Sequence, residues 1–190
     1  MSWSAESSDE ELMLCYRDGD AGAFDALYAR HKGGLYRYLL RQCRYAQAAE
    51  EVFQDVWMNL IRARAGYTVQ AKFTTYLYRL AHNRLIDLYR RNAHATVTSF
   101  EDEDCEALAE LPDKREQPAA DTLDTKRQAV RLLELIAGLP EAQREAFLLQ
   151  QEGGMSVEEI AQATGVTRET AKSRLRYAMG KLRQGMREWR

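Results

Sequence analysis

Apolar residues recur at spacings of three and four along most of the chain. Leu12, Cys15 and Tyr16 open one such stripe, which resumes after a turn at 19–22 with Phe24, Leu27, Tyr28 and His31. A second stripe runs Leu35, Tyr38, Leu39 and Cys43. A third runs Val52, Val56, Leu60 and Ala63, with Phe53 and Trp57 beside it. Tyr76, Leu77, Leu80, Ala81, Leu85, Ile86 and Leu88 make a fourth, which stops at Arg90-Arg91-Asn92. This is the spacing by which a helix buries one side. No run alternates with period two for long enough to predict a strand. Beyond Asn92 the pattern lapses through Pro112 and Pro118, then returns at about Thr125 with Val130, Leu133, Ile136 and Ala137. Breaks at Gly138-Leu139-Pro140 and Gly153-Gly154 divide the remainder into short helices. The chain therefore reads as all-α: two small helical domains, 9–94 and 125–190, with a flexible N-terminus at 1–8 and a flexible linker at 95–124.

The segment SVEEIAQATGVTRETAKSRLRYAMGKLR carries the most specific local pattern. Ser156 offers an N-cap oxygen ahead of Glu158 and Glu159, and acids suit the first turn of a helix. Gly165 suits a tight turn, where a left-handed backbone costs it nothing, and Thr167 can cap the next helix. On that helix Ala171, Leu175, Ala178 and Leu182 form a buried stripe. Arg168, Glu169, Lys172, Ser173 and Arg176 fall on the opposite face. Such a pair is a helix-turn-helix whose second helix presents a basic face to a major groove and its phosphates. An ordinary helical hairpin with a solvated face is the alternative.

Composition narrows the class. The 190 residues are 45% hydrophobic and 29% charged, with only 3 Pro and 11 Gly, which excludes a disordered or collagenous chain and favours helices. Cys15, Cys43 and Cys105 are odd in number and scattered, which predicts a reducing compartment and no structural zinc. His31, His82 and His94 lack metal-ligand spacing, so neither metal nor cofactor is expected. No apolar run approaches membrane-spanning length and the acidic start has no signal-peptide core, so the expectation is a cytoplasmic protein without membrane insertion. A Gly-rich phosphate loop, a nucleophile–His pair and an HExxH motif are all missing, which argues against an enzyme.

Net charge is only −2, but its distribution is uneven. Residues 72–94 carry five bases against Asp87. Residues 164–190 carry eight bases against Glu169 and Glu188, whereas 96–125 hold ten acids against Lys114 and Arg115. Two basic blocks flanking an acidic one suggest two polyanion-contacting faces joined by a self-repelling linker.

The ordered blocks resemble the extracytoplasmic-function (ECF) sigma factors of bacterial RNA polymerase. LMLCYRDGDAGAFDALYARHKGGLYRYLLR is similar to that family's region 2.1, AEEVFQDVWMNL to region 2.2, and KFTTYLYRLAHNRLIDLYRRN to regions 2.3 and 2.4. GLPEAQREAFLL with SVEEIAQATGVTRETAKSRLRYA resembles region 4. The likeness runs through nearly the whole chain, in order. It implies a factor that binds core polymerase, places the 9–94 domain on the −10 element and the 125–190 domain on the −35 element, and helps open the duplex. The implied partners are the clamp helices and flap of the polymerase, promoter DNA both double-stranded and melted, and an anti-sigma protein.

Residue by residue, the resemblance assigns Glu51, Gln54 and Asp55 to core-polymerase binding. It assigns Arg79, His82, Asn83, Arg84, Arg90 and Arg91 to the −10 element. Asn83 is the candidate base reader, because an amide can bond a base edge bidentately, and the arginines are candidates for phosphates. Asp87 either joins them or orients Arg84 or Arg91. The loop at 66–73 is where the family traps a flipped base, and Tyr67 or Phe73 either stacks on it or packs in the core. On the second helix of the pair Thr167, Arg168, Glu169, Lys172, Ser173, Arg174, Arg176 and Tyr177 are candidates for the −35 element. Ala171 and Tyr177 depart from the family's usual valine and basic residue. The rival reading is a stand-alone regulator acting through the helix-turn-helix, which would need a dimer to bind tightly.

Overall fold

A computed structural model describes residues 3–4, 6–43, 45–95 and 122–188. The acidic stretch at 96–121 lies outside the described residues. Eight α-helices and one 3-10 turn make up the described chain: α1 (Asp9–Arg17), α2 (Ala21–Gln42), α3 (Ala46–Ala63), a turn at Arg64–Gly66, α4 (Phe73–Ala95), α5 (Thr122–Ala137), α6 (Glu141–Gly153), α7 (Val157–Thr164) and α8 (Arg168–Glu188).

Local chemistry sets the helix ends. Ser8 and Glu11 form a reciprocal capping box at α1, with Ser8 Oγ accepting from the Glu11 amide at 3.2 Å and Glu11 Oε2 accepting from the Ser8 amide at 2.9 Å. Asp20 accepts from the Ala23 amide at the start of α2, and its second oxygen accepts from the Trp3 indole at 3.0 Å. Part of the stretch read as a flexible N-terminus is thus tied to the helical core. Gly154 and Gly165 end α6 and α7 in the left-handed conformation, at φ 60° and 66°.

Helices α1–α4 enclose an aromatic core. Trp57 meets Phe24 and Tyr28 edge-on, at centroid distances of 5.8 and 5.0 Å, and Leu12, Leu27, Leu35 and Leu60 are fully buried around it. Each fully buried leucine contributes roughly 1.5–3 kcal/mol of transfer free energy. The predicted stripes lie inward with instructive exceptions. Ala63 is exposed because α3 gives way there to the 3-10 turn. Val130 is 56% exposed and Ala137 is exposed as well, because α5 packs chiefly along α8, where Leu135 lies against Gly185. Tyr78, outside the fourth stripe, is only 2% exposed, because α4 is covered on a second side by the C-terminal half.

That second cover is the main tertiary fact. Helix α6 packs on α2, and α7 packs on α4, so the two helical halves share one continuous core in the described residues.

Candidate nucleic-acid interface

Helix α4 carries the first basic block. Its leading amide, that of Phe73, donates to Glu10 Oε1 of α1 at 2.6 Å, and Arg17 of α1 donates to the Tyr67 carbonyl at 3.4 Å. Both ends of the 67–73 loop are therefore pinned to α1. Along α4, Arg79, Asn83, Arg90 and Arg91 are exposed. Arg84 and His82 are not free in the same way. Arg84 pairs with Asp55 of α3 and lies 3.6 Å from Asp87, so the Asp87 carboxylate orients Arg84. His82 Nδ1 lies 2.6 Å from Glu145 Oε1 of α6.

The same carboxylate oxygen accepts from the Tyr38 hydroxyl at 2.9 Å. Burial first, and then Glu145, push the Tyr38 phenol well above its usual value. Glu145 is 9% exposed and Tyr38 fully enclosed, so this three-residue contact sits inside the seam between the halves.

Tyr67 and Phe73 pack inward, at 5% and 0% exposure. Phe73 rests against His31, and Tyr67 meets the Tyr76 ring edge-on at 5.3 Å. Phe73 is thus enclosed, and only a small part of Tyr67 reaches the surface. Tyr67 does form part of an open cleft of about 590 Å³, together with Gln70, Thr75, Tyr76 and Arg79. Thr75 is 3% exposed and its buried hydroxyl lacks a hydrogen-bond partner. Gln162, from α7, closes one side of this cleft.

The candidates for core-polymerase binding lie on α3. Glu51 and Gln54 are exposed, whereas Asp55 is committed to Arg84. Gln54 and Phe53 border a second cleft of about 460 Å³, shared with Tyr28, Lys32 and Tyr36. Glu50 also lines it and, after burial, is the next cause of the raised Tyr36 phenol. Glu50 and Glu51 thus face different neighbours, since Glu51 lies 3.4 Å from the Gln47 amide.

The helix-turn-helix forms as the pattern predicts. Ser156 and Glu159 make a full capping box, and Thr167 Oγ1 accepts from the Thr170 amide at 3.2 Å. Ala171, Leu175, Ala178 and Leu182 are buried, while Thr167, Arg168, Glu169, Lys172, Arg176 and Tyr177 are exposed, with Ser173 and Arg174 half-buried. Arg168 lies 3.5 Å from Glu158, which ties α8 to α7 across the turn. The Arg176 guanidinium lies 5.1 Å from the Tyr177 ring centre, giving the aromatic a cationic neighbour.

Periodicity did not single out Arg37, Arg41, Glu145, Glu152 or the Lys72–Glu159 pair. Arg37 and Arg41 both bind Glu152, and Lys72 Nζ lies 2.8 Å from Glu159 Oε1. The Lys72 ammonium, and then the Ser156 amide, hold the Glu159 carboxyl below its usual range. A trace of this was present in sequence, since Glu145 and Glu152 stand seven apart and share a helix face. Among the described residues no His, Cys, Asp and Glu side chains cluster as metal ligands, and no helix is long and apolar enough to cross a membrane.

Comparison with known proteins gives two family matches, Sigma-70 region 2 over residues 27–95 and Sigma-70 region 4 over residues 129–182. The ECF RNA polymerase sigma factor RpoE of Cereibacter sphaeroides is 33% identical over 177 residues, covering 92% of this chain and 93% of its own. The ferric citrate uptake sigma factor FecI of Escherichia coli is 30% identical over 150 residues, covering 78% and 82%. Among solved structures, the sigma factor RpoE bound to the anti-sigma factor NepR, from Bartonella quintana, superposes with a TM-score of 0.68 at 18% identity, covering 86% of this chain and 96% of that one. CnrH in complex with the cytosolic domain of CnrY gives 0.66 at 21%, covering 94% and 96%. These two likenesses concern the fold.

Proposed function

The chain belongs to the ECF sigma factors, transcription regulators that direct RNA polymerase, and from that premise we propose how its surfaces divide the work. Residues 9–94 bind core polymerase and the −10 element, residues 125–190 bind the −35 element, and residues 95–124 join them. The exposed α3 residues Glu51 and Gln54, beside the aromatic cleft, meet the clamp helices, while Asp55 braces Arg84. Exposed Asn83 reads a base edge and Arg79, Arg90 and Arg91 hold phosphates. The cleft over Tyr67 takes one base flipped from the melted strand, with Thr75 and Gln70 able to hydrogen-bond its edge. Phe73 supports this cleft from the core.

Helix α8, together with its capping residue Thr167, lies in the −35 major groove through Arg168, Glu169, Lys172, Ser173 and Arg176, with Arg174 and Tyr177 at the flank. The acidic linker lies in the basic RNA path of the polymerase, and the flap holds the C-terminal half. The factor works in the cytoplasm, and an anti-sigma protein restrains it. The observation that carries this reading is the juxtaposition of an exposed basic helix face on α4 with a capped helix-turn-helix whose outward face is also basic.

Run-off transcription tests it, using core polymerase and a pool of genomic fragments with and without the protein. Discrete new start sites that vanish with Arg90→Ala/Arg91→Ala support initiation. Specific DNA retention by the protein alone, with no polymerase-dependent starts, replaces this reading with a stand-alone regulator.

A further inference from the structure

Four helices carry a cap in their own sequence. Ser8, Asp20, Ser156 and Thr167 each accept a backbone amide of the helix that follows. Helix α4 is built differently. The residue ahead of it is Lys72, whose side chain has no acceptor, and its first turn holds no acid. The acceptor comes instead from another helix: Glu10 of α1 places Oε1 2.6 Å from the Phe73 amide, where the positive end of α4 favours an anion. Glu10 itself stands on a fixed support, because Asp9 beside it is held by Arg30 and His31 of α2.

Arg17, at the other end of α1, donates to the Tyr67 carbonyl, so one helix holds both ends of the 67–73 loop. Between these anchors Thr68, Val69 and Gln70 are exposed. Tyr67 and Thr75 both border the cleft of about 590 Å³, and both have a buried hydroxyl without a hydrogen-bond partner. Buried polar atoms are normally paired, so two orphans at one cleft point to a ligand that completes them. Burial first, and then Glu10, push the Tyr67 phenol up to about 12, which keeps it a donor at neutral pH.

Hydrogen bonds to such a ligand depend on spacing and angle, and an exposed loop does not hold either without support. We propose that Glu10 is a positioning residue for strand separation: by holding the Phe73 amide, with Arg17 on the Tyr67 carbonyl, it keeps the Tyr67 and Thr75 hydroxyls aimed into the cleft that receives the flipped base. Glu10 acts through the loop and touches no DNA. This rests on the base-capture reading above and adds the device that sets its geometry.

The test uses holoenzyme on a promoter mapped by run-off, with opening read by permanganate oxidation of unpaired thymines. Glu10→Ala should lower the opened fraction about tenfold, the scale of one hydrogen bond to a charged group. Glu10→Gln keeps an acceptor but not the charge and should fall between. Core-polymerase binding and retention on the closed duplex should not change. The decisive readout places an abasic nucleotide at each position of the non-template −10 strand in turn. At the captured position the unaltered holoenzyme should lose opening and Glu10→Ala should lose no more, whereas elsewhere the deficit of the variant should persist.

A Glu10→Ala deficit of equal size at every position, the captured one included, overturns the proposal, because a merely destabilised domain behaves that way. A fall in core-polymerase binding that matches the fall in opening overturns it too. Should Glu10→Ala fail to fold, the same abasic series with Glu10→Gln and with Arg17→Ala should show the same single-position coupling, and its absence from both refutes the brace. If no abasic position impairs the unaltered holoenzyme, base capture itself fails and the brace falls with it. If one position does and the variants ignore it, base capture stands and only the brace is lost.

Discussion

The Tyr38–Glu145 contact can be tested to a number. Tyr38 lies in α2 and is fully buried, Glu145 lies in α6 and is 9% exposed, and the hydroxyl donates to Glu145 Oε1 at 2.9 Å. A hydrogen bond to a charged group contributes roughly 1.5–3 kcal/mol. Tyr38→Phe keeps the ring, including its edge-on contact with Tyr78 at 5.2 Å, and removes only that bond. The carboxylate retains His82 at 2.6 Å, so it is not left without a partner. The expected cost is therefore about 1.5–3 kcal/mol rather than the roughly 3–5 kcal/mol that follows when a buried charge loses its pairing. The assay is a double-mutant cycle of Tyr38→Phe and Glu145→Gln, followed by urea unfolding with circular dichroism. A coupling of about 1 kcal/mol or more between residues 107 apart in sequence is the expected result. Strict additivity, within about 0.3 kcal/mol, would mean that the contact is not made in solution and that the halves do not close as described.

Other consequences follow from the same structure. Asn83→Ala in the holoenzyme should relax base preference at one position of the −10 element by about 1–3 kcal/mol, read by transcription from a library randomised there; uniform weakening at every position would assign Asn83 to the backbone instead. Lys172→Ala on α8 should weaken −35 binding evenly across sequences and lower the salt slope by about one ion, whereas an unchanged slope would place Lys172 off the phosphates. Hydrogen bonding from His31, and then from Arg30, holds the Asp9 carboxyl below its usual value despite an opposing effect of burial. Its stabilising contribution is complete above the ordinary carboxylate range and is lost as pH falls through the lowered value. Asp9→Asn should accordingly flatten the acid limb of the stability–pH curve, and an unaltered limb would refute the assignment. Gly165→Ala forces a side chain into the left-handed region at φ 66° and should cost about 1–2 kcal/mol in thermal unfolding, with no loss expected if the turn relaxes.

Much of the fold was legible from local rules. Period-three and period-four stripes marked the helices, Ser156 with Glu159 marked the start of α7, and Gly165 its end, because each of these effects acts within a turn or two of backbone. The two basic blocks and the order of motifs were likewise written along the chain, and they sufficed for the family. The stacking role considered for Tyr67 and Phe73 was not decided there, since an aromatic beside a loop looks the same in sequence whether it faces the cleft or the core. Packing against His31 and Tyr76 settled where those two rings lie.

What tertiary structure alone decided is which charged faces meet. Arg37 and Glu152 are 115 residues apart, and a helix shows its charged side equally whether water or another domain covers it. Periodicity reports that a face is polar and carries no information about its occupant. The pairing depends on shape, above all on Gly34, whose missing side chain lets α2 approach the α6 backbone closely enough for Arg37 and Arg41 to reach one carboxylate. Sequence thus determined the two helical units and their chemistry, because those rest on neighbours in the chain. Their mutual covering arose only when distant surfaces of opposite charge and matching shape came together.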